Sequence, residues 1–413
     1  MSPLNSVQID RRSFLALGAI VLAGCASRTP GTSGAATNEQ ADTSTGAAGQ
    51  DAPLAEDRVR DVIVVGAGPA GMTAAYRLRR MGVDVEVLEA GRSHGGRIKH
   101  DLEFTEFPIP LGAEWVHVDG QILDEIVDDE AVDVGTELRG YAPDAEVAIV
   151  DGTSVSYLPN TLIFDGDLKF VGSSWLDFFN TYVVPEIADR LVYETQVTAI
   201  DYGDEIVRVT DATGTVRQAN KVLVTVPLKL LQRRDIDFQP PFTDERIDTI
   251  DGATVWSGLK AFFEFEDAFY PATIALEDSD TPDGQRIFYD AAYGQNSDVN
   301  VLGLFSVGAQ AERYQALSHD ELAADVLDEL DRAFDGAAGR SYVRHIVQNW
   351  NDEPFAGAAY LADGAAGATT RLLAQSIDDR LYFAGDAYTS FDDWSSVHAA
   401  ARSAADAVAE IMA

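Results

Sequence analysis

Val62-Ile63-Val64-Val65-Gly66-Ala67-Gly68-Pro69-Ala70-Gly71 decides how this chain folds. The first four residues are an unbroken β-branched run, as a strand covered on both faces requires. The glycines follow at once, and Ala74, Ala75 and Leu78 then share one helical face. A second strand, Val83 to Leu88, ends on Glu89, eighteen residues past Gly71. Each part has a physical reason. Gly66 permits a tight turn, Gly68 lets a pyrophosphate approach the backbone, and Gly71 lets helix and strand pack closely. Ala67, Pro69 and Ala70 complete the loop, and the helix start meets the phosphate charge. Glu89 is placed to accept hydrogen bonds from ribose hydroxyls. Strand, glycines, helix, strand and acid in register predict an α/β dinucleotide-binding module of Rossmann type. NAD and FAD share this fingerprint, so the module alone does not choose between them.

Outward from the module, 413 residues exceed one ordinary core and suit two domains with a tail. The net charge is −38, which argues against nucleic acid because phosphate would be repelled. The acid is spread along the chain, as on the solvated surface of a salt-adapted protein. The one cysteine, Cys25, excludes an intrachain disulfide and an Fe–S cluster, and the six histidines show no ligand spacing, so no metal is expected.

Toward the N-terminus, Arg11-Arg12-Ser13-Phe14-Leu15 opens an apolar run that reaches Gly24. At about eleven residues it is short for a bilayer span of roughly 20 and reads as a signal h-region. The arginine pair resembles a twin-arginine export signal, which carries folded proteins and so suits a preloaded cofactor. Leu22-Ala23-Gly24-Cys25 resembles a lipobox, which implies lipidation of Cys25. Residues 26–57, rich in Ala, Ser, Thr and Gly, are expected to be a flexible tether. The expected location is the outer face of the cytoplasmic membrane, held there by a lipid anchor.

Toward the C-terminus, Glu89-Ala90-Gly91-Arg92-Ser93-His94-Gly95-Gly96-Arg97 resembles the signature of flavin-containing amine oxidases. The resemblance implies FAD, with Ala90, Gly96 and Arg97 around its pyrophosphate and Arg97 as a charge-assisted clamp. Leu111-Gly112-Ala113-Glu114-Trp115-Val116-His117 resembles the family's next segment, which implies that Gly112, Ala113, Glu114 and Trp115 lie along the cofactor. Trp115 reads equally as a core residue, and His117 as a satisfied structural histidine. Leu191 to Asp201, Ile206 to Thr210 and Val222 to Pro227 look like the strands that return to the FAD domain, with Val197 contacting the cofactor through its backbone.

Lys260 lies in the alternating stretch Trp256-Ser257-Gly258-Leu259-Lys260-Ala261-Phe262-Phe263. The resemblance implies that Lys260 holds a water against the flavin, and partial desolvation would lower its pKa. Trp350 to Tyr360 looks like the family's substrate strand, with Tyr360 as one wall of an aromatic cage and the second wall on Val397. Ala359 stands where monoamine oxidases carry a flavin-bonding cysteine, which implies non-covalent FAD. Leu381-Tyr382-Phe383-Ala384-Gly385-Asp386 resembles the last FAD signature, with Gly385 and Asp386 at the ribityl chain. A helix starting at Ser395 or Ser396 would place Ser396 and Val397 at the flavin edge, where its positive end stabilises reduced flavin.

The expected FAD domain takes 58–120, 190–235 and 376–413, and an inserted α+β substrate domain takes 121–189 and 236–375. Ser318-His319-Asp320-Glu321 is a capping box, with Leu322, Val326 and Leu330 on one face and Gly336 ending the helix. Oxidation of a small-molecule amine is the expected activity. A C–C desaturase of apolar substrates and a non-catalytic flavoprotein are the alternatives, because the second cage wall and the helix's Gly-Ala step, here His398-Ala399-Ala400, depart from the family pattern.

Overall fold

Val62 and Val64 bury their side chains on one side of their strand, Ile63 and Val65 on the other, so the strand they form is covered on both faces. In the computed structural model, which describes residues 54–159, 166–362, 366–390 and 393–413, that strand runs Leu54–Val65. It pairs in parallel with Val85–Leu88 on one side and Val216–Val224 on the other. The carboxyl end of Leu54–Val65 is therefore flanked by parallel neighbours on both sides, where a ligand crevice is expected. The sheet continues outward through Leu191–Val192 at one edge and through Val207–Asp211, Val197–Asp201 and Asp237–Gln239 at the other. Val216–Val224 changes partner along its length. Its first half pairs antiparallel with Val207–Asp211 and its last residues pair in parallel with Leu381–Phe383.

Helix Pro69–Arg80 covers one face of this sheet. Proline at its first position has the right φ and no N–H to lose, and Arg77, Arg79 and Arg80 in the last turn oppose the negative helix end. The C-terminal helix Val397–Ile411 joins it in the same core, where Ala74, Ala75, Ala400, Ala401 and Ala404 allow close approach. The opposite face is covered by Leu228–Gln232, Asp244–Gly252 and Ala366–Leu373, with Leu228, Leu231, Ile250 and Leu373 turned inward.

A second large sheet has the order 342–349, 258–265, 300–308, 284–290, 273–276, 146–151, 154–159. Along Gly258–Phe265 the alternate residues separate cleanly. Leu259, Ala261, Phe263 and Phe265 enter a core with Leu322, Val326 and Leu330 of helix His319–Ala333. Phe262 enters a smaller aromatic core with Ile109, Leu111 and Tyr289, and Lys260 shares its parity. Both halves of the Ser318–Glu321 capping box form.

Three boundaries differ from expectation. The first strand begins at Leu54, inside the expected tether, because Leu54 pairs with Val216. Asp237–Gln239 extends the cofactor-side sheet beyond 235 by pairing in parallel with Ala199–Asp201. Within 121–189, Ile122–Val127 and Trp175–Tyr182 bury their apolar faces against the helix Pro69–Arg80 core, while Glu146–Asp151 and Ser154–Pro159 join the second sheet. Leu54–Ala413 constitutes one unit of contacts. Arg11, Arg12 and Cys25, with the export and lipidation expectations that rest on them, lie outside the described residues. Among the described residues, no helix is long and apolar enough to cross a membrane.

Candidate functional site

At the end of Leu54–Val65 the chain turns through Gly66 at φ 105°, a conformation that strains any L side chain. A Cβ on Gly71 would come within 1.9 Å of Gly66 O, so helix and turn are in contact as the pattern requires. Thr225, from the neighbouring strand, donates to Val65 O (2.9 Å) and Gly66 O (3.1 Å) and locks the turn. Glu89 accepts from Ala67 N (2.8 Å) and Gly91 N (2.7 Å), which ties the loop to the turn of the Glu89–Arg97 signature. Gly95 N donates to Ala67 O (2.8 Å), and Gly96, at φ 55°, stacks on Gly68. Ala70 is buried under the loop, and Ala90 lines an open cleft of about 350 Å³ with Gly91, Gln196, Asp211, Thr213 and Phe355. Val197, next to Gln196, is buried at the start of its strand.

Arg97 joins three segments. Its backbone O accepts from Ala113 N (3.0 Å), and a Cβ on Gly112 would stand 1.9 Å from that oxygen. Its guanidinium donates to Asp386 Oδ1 (2.5 Å) and to the Ala359 carbonyl. Gly385 N donates to Ser403 Oγ (2.8 Å), which fixes the Asp386 turn on the C-terminal helix. Ser396 caps that helix by accepting from Ala399 N (3.2 Å). Val397 is buried in its first turn, and His398 beside it has Nε2 2.5 Å from Asp393 Oδ2. His117 meets Asp167 at 2.8 Å, as a structural histidine does.

Lys260 and Glu114 are brought together, Lys260 on the strand expected of it and buried. Lys260 Nζ donates to Glu114 Oε2 (2.7 Å) and Pro110 O (3.0 Å). Lys169 Nζ lies 3.2 Å from Glu114 Oε1, and Tyr289 donates its hydroxyl to Glu114 Oε2 (2.5 Å). Burial would raise the Glu114 carboxyl, but Lys260 and Lys169 outweigh it and hold it below the ordinary range. Burial pushes the Lys260 ammonium down, with Lys169 adding to it and Glu114 opposing. Glu114 is thus a counterion shared by two lysines. Lys260 stands in its strand among aromatic rings and is engaged by this carboxylate. Trp115 is half-buried against the small aromatic core, edge-on to Tyr289 at 4.9 Å between ring centres, and Lys260 Nζ lies 5.1 Å from its ring centre. Tyr360 is half-buried beside Trp256, 6.2 Å between ring centres, and Tyr360 O accepts from Trp256 N (2.9 Å). Trp256 is thus an aromatic neighbour of Tyr360, and Val397 is buried in the core with the C-terminal helix.

Residues 186–412 match the flavin containing amine oxidoreductase family, and residues 64–129 match an NAD(P)-binding Rossmann-like domain. This chain belongs to the flavin-containing amine oxidoreductase family. It is 23% identical to human lysine-specific histone demethylase 2 over 417 aligned residues, covering 79% of this chain and 50% of that protein. The chain spans about half the length of the curated relatives it matches first. Its fold is that of putrescine oxidase, solved with putrescine bound (TM-score 0.72, 16% identity, 86% of this chain and 99% of that one). Cyclohexylamine oxidase from Brevibacterium oxydans has the same fold (TM-score 0.69, 16% identity, 86% and 100%).

This flavin-containing amine oxidoreductase has a cradle that fits FAD. No side chain caps the start of helix Pro69–Arg80, and a Cβ on Gly68 would meet nothing within 4 Å, so the helix amides face open space. Arg97 would supply positive charge to the pyrophosphate, Asp386 acceptors to the ribityl chain, and Glu89 its remaining lone pairs to the ribose. FAD is held non-covalently, Ala359 offering no thiol. Sequence reasoning passed over Lys169, Tyr289, Thr225 and Trp256. Two signals were available: Lys169 is one of only five lysines and lies in apolar Leu168-Lys169-Phe170-Val171, and Trp256 stands four residues before Lys260.

Proposed function

We propose that this protein oxidises the C–N bond of a small-molecule amine. One contact carries the proposal: the Arg97 guanidinium bridges Asp386, on the cofactor side, to the carbonyl of Ala359, the residue before Tyr360. The segment bearing Tyr360 is thereby fastened to the flavin cradle. Bound FAD supplies the acceptor for a hydride from the carbon next to a neutral amine nitrogen. Tyr360 and Trp256 offer ring faces that attract and orient an amine. Lys260 Nζ, paired with Glu114, is the buried group that can carry a proton. The start of helix Val397–Ile411 sets positive charge toward the flavin as it gains electrons. The imine product leaves and hydrolyses in water.

The test is anaerobic. The purified yellow holoprotein is mixed with monoamines, diamines and N-methylated lysine peptides, and the flavin's visible absorbance is followed. Bleaching by one amine class supports the proposal. Bleaching only by an apolar substrate that gains a C=C bond would replace it with a desaturase, and no bleaching by any donor with a non-catalytic flavoprotein. We further propose export through Arg11 and Arg12 and lipidation at Cys25, because the only cysteine stands in the lipobox-like stretch. Cys25→Ser should release the protein from the membrane fraction; unchanged partition would refute the anchor.

A further inference from the structure

His398 is 2% exposed, yet only one of its ring nitrogens is engaged. Nε2 lies 2.5 Å from Asp393 Oδ2 and 3.0 Å from Ser396 Oγ. Nδ1 is buried and has no hydrogen-bond partner. A histidine buried for packing alone would have both nitrogens engaged, because an unmet polar atom in a dry core is costly. The neighbouring His117 does not fill the gap. The two rings stand edge to face with centres 6.4 Å apart, and His117 Nδ1 is taken by Asp167. Both partners of Nε2 precede helix Val397–Ile411, so the imidazole lies across the open end of the helix rather than along its flank. The turn before it is bonded on two sides. Ser395 N donates to Asp386 O (3.0 Å), on the ribityl side of the cradle, and Ser395 Oγ donates to Leu361 O (2.7 Å), next to Tyr360. Those bonds hold Ser395 at φ 59°, a conformation uncommon outside glycine. The isoalloxazine ring is the part of FAD that belongs between the ribityl chain and the aromatic pair.

We propose that His398 is a cofactor-contacting residue whose Nδ1 accepts a hydrogen bond from N3–H of the isoalloxazine ring. Asp393 decides the polarity of this contact. A carboxylate only accepts, so Nε2 carries the proton and Nδ1 of the neutral imidazole keeps its lone pair. The oxidised ring offers that lone pair one suitable partner. N3–H is its single N–H, whereas N1, N5 and both carbonyl oxygens are acceptors. Asp393 is therefore a positioning residue, much as a carboxylate behind a metal-bound histidine fixes the tautomer and raises the basicity of the other nitrogen. The imidazole also does what the helix start cannot. Helix amides and the positive helix end recognise carbonyl oxygens and negative charge, and an N–H beside them needs an acceptor. The contact is the same whichever substrate the flavin oxidises, so it stands apart from the amine-oxidation proposal.

The chain has six histidines, few enough to resolve. Full-length holoprotein is prepared with ¹⁵N in its histidines and in FAD, and the flavin N3 proton is followed by NMR. It should show a scalar coupling across the hydrogen bond to one histidine nitrogen, absent in His398→Asn and in His398→Leu. The two variants part on affinity. The asparagine side chain sets Oδ1 close to where Nδ1 stood and keeps an acceptor there, so the FAD dissociation constant should stay near that of the wild type. Leucine leaves N3–H facing carbon, and the constant should rise about tenfold, as loss of one buried hydrogen bond does. Asp393→Ala should weaken the coupling, and an unchanged coupling would overturn the part given to Asp393. An N3 proton coupled to no histidine in the wild type overturns the proposal, and that reading needs no variant to fold. Asparagine and leucine variants that hold FAD equally well overturn it too, since Nδ1 would then serve a water or the packing alone.

Discussion

Gly71 shows how little room the phosphate turn leaves. A methyl at that position would lie 1.9 Å from Gly66 O, a backbone atom that cannot swing aside. Gly71→Ala should therefore push the helix off the turn, at a cost of about 1–3 kcal/mol, the usual range for overpacking. FAD content after gel filtration should drop and the apparent Tm should fall. Retained stoichiometric flavin at unchanged Tm would contradict the close contact. Arg97→Met asks a different question, because it removes both the Asp386 and the Ala359 bonds without crowding anything. It should weaken FAD retention and slow bleaching by an amine. Flavin content and bleaching rate both equal to wild type would show that the bridge is idle. At this scale the cofactor side was legible because its glycines are fixed by backbone clearances that leave a spacing in the sequence. The proton-carrying side was not. Glu114, Lys169 and Tyr289 come from three distant segments, and only tertiary packing sets them around Lys260.

Among the elements, helix His319–Ala333 was legible from one end to the other because local physics defines it. Ser318 and Glu321 exchange side-chain and backbone bonds at its start, and Leu322, Val326 and Leu330 face one core. Ser318→Ala should cost about 1 kcal/mol, typical of a lost N-cap, and lower the Tm by about 2 °C. Calorimetry beside a flavin spectrum checks it, since the spectrum should not change. A shifted spectrum would mean that this helix couples to the cradle. Asp237–Gln239 was illegible for the opposite reason. Three residues carry no period, and only their pairing with Ala199–Asp201 makes them a strand. The same holds for Ile122–Val127, a six-residue helix stabilised by burying Ile122, Leu123, Ile126 and Val127 rather than by its own propensity.

For the molecule as a whole, charge is the dominant variable. Sixty-eight acidic side chains face thirty lysines and arginines, which leaves a net charge of −38. Many arginines are already committed to carboxylates: Arg60 lies 3.0 Å from Glu86, Arg217 2.7 Å from Asp211 and 3.5 Å from Glu86, and Arg190 3.3 Å from Asp84. Salt acts on these two populations in opposite directions. It weakens the more exposed of these pairs, each worth about 0–1 kcal/mol, and it screens the repulsion among the acids that have no cation. The second population is larger, and its repulsion acts over distances that salt controls, the Debye length falling from about 10 Å at 0.1 M to about 3 Å at 1 M. Stability should therefore rise with chloride salt. Melting the holoprotein in increasing KCl, against a nonionic solute at equal osmolality, isolates the electrostatic part. A Tm that climbs with KCl and not with the nonionic solute is the expected outcome. A Tm that falls with KCl would mean that the arginine–carboxylate pairs outweigh the repulsion among the unpaired acids.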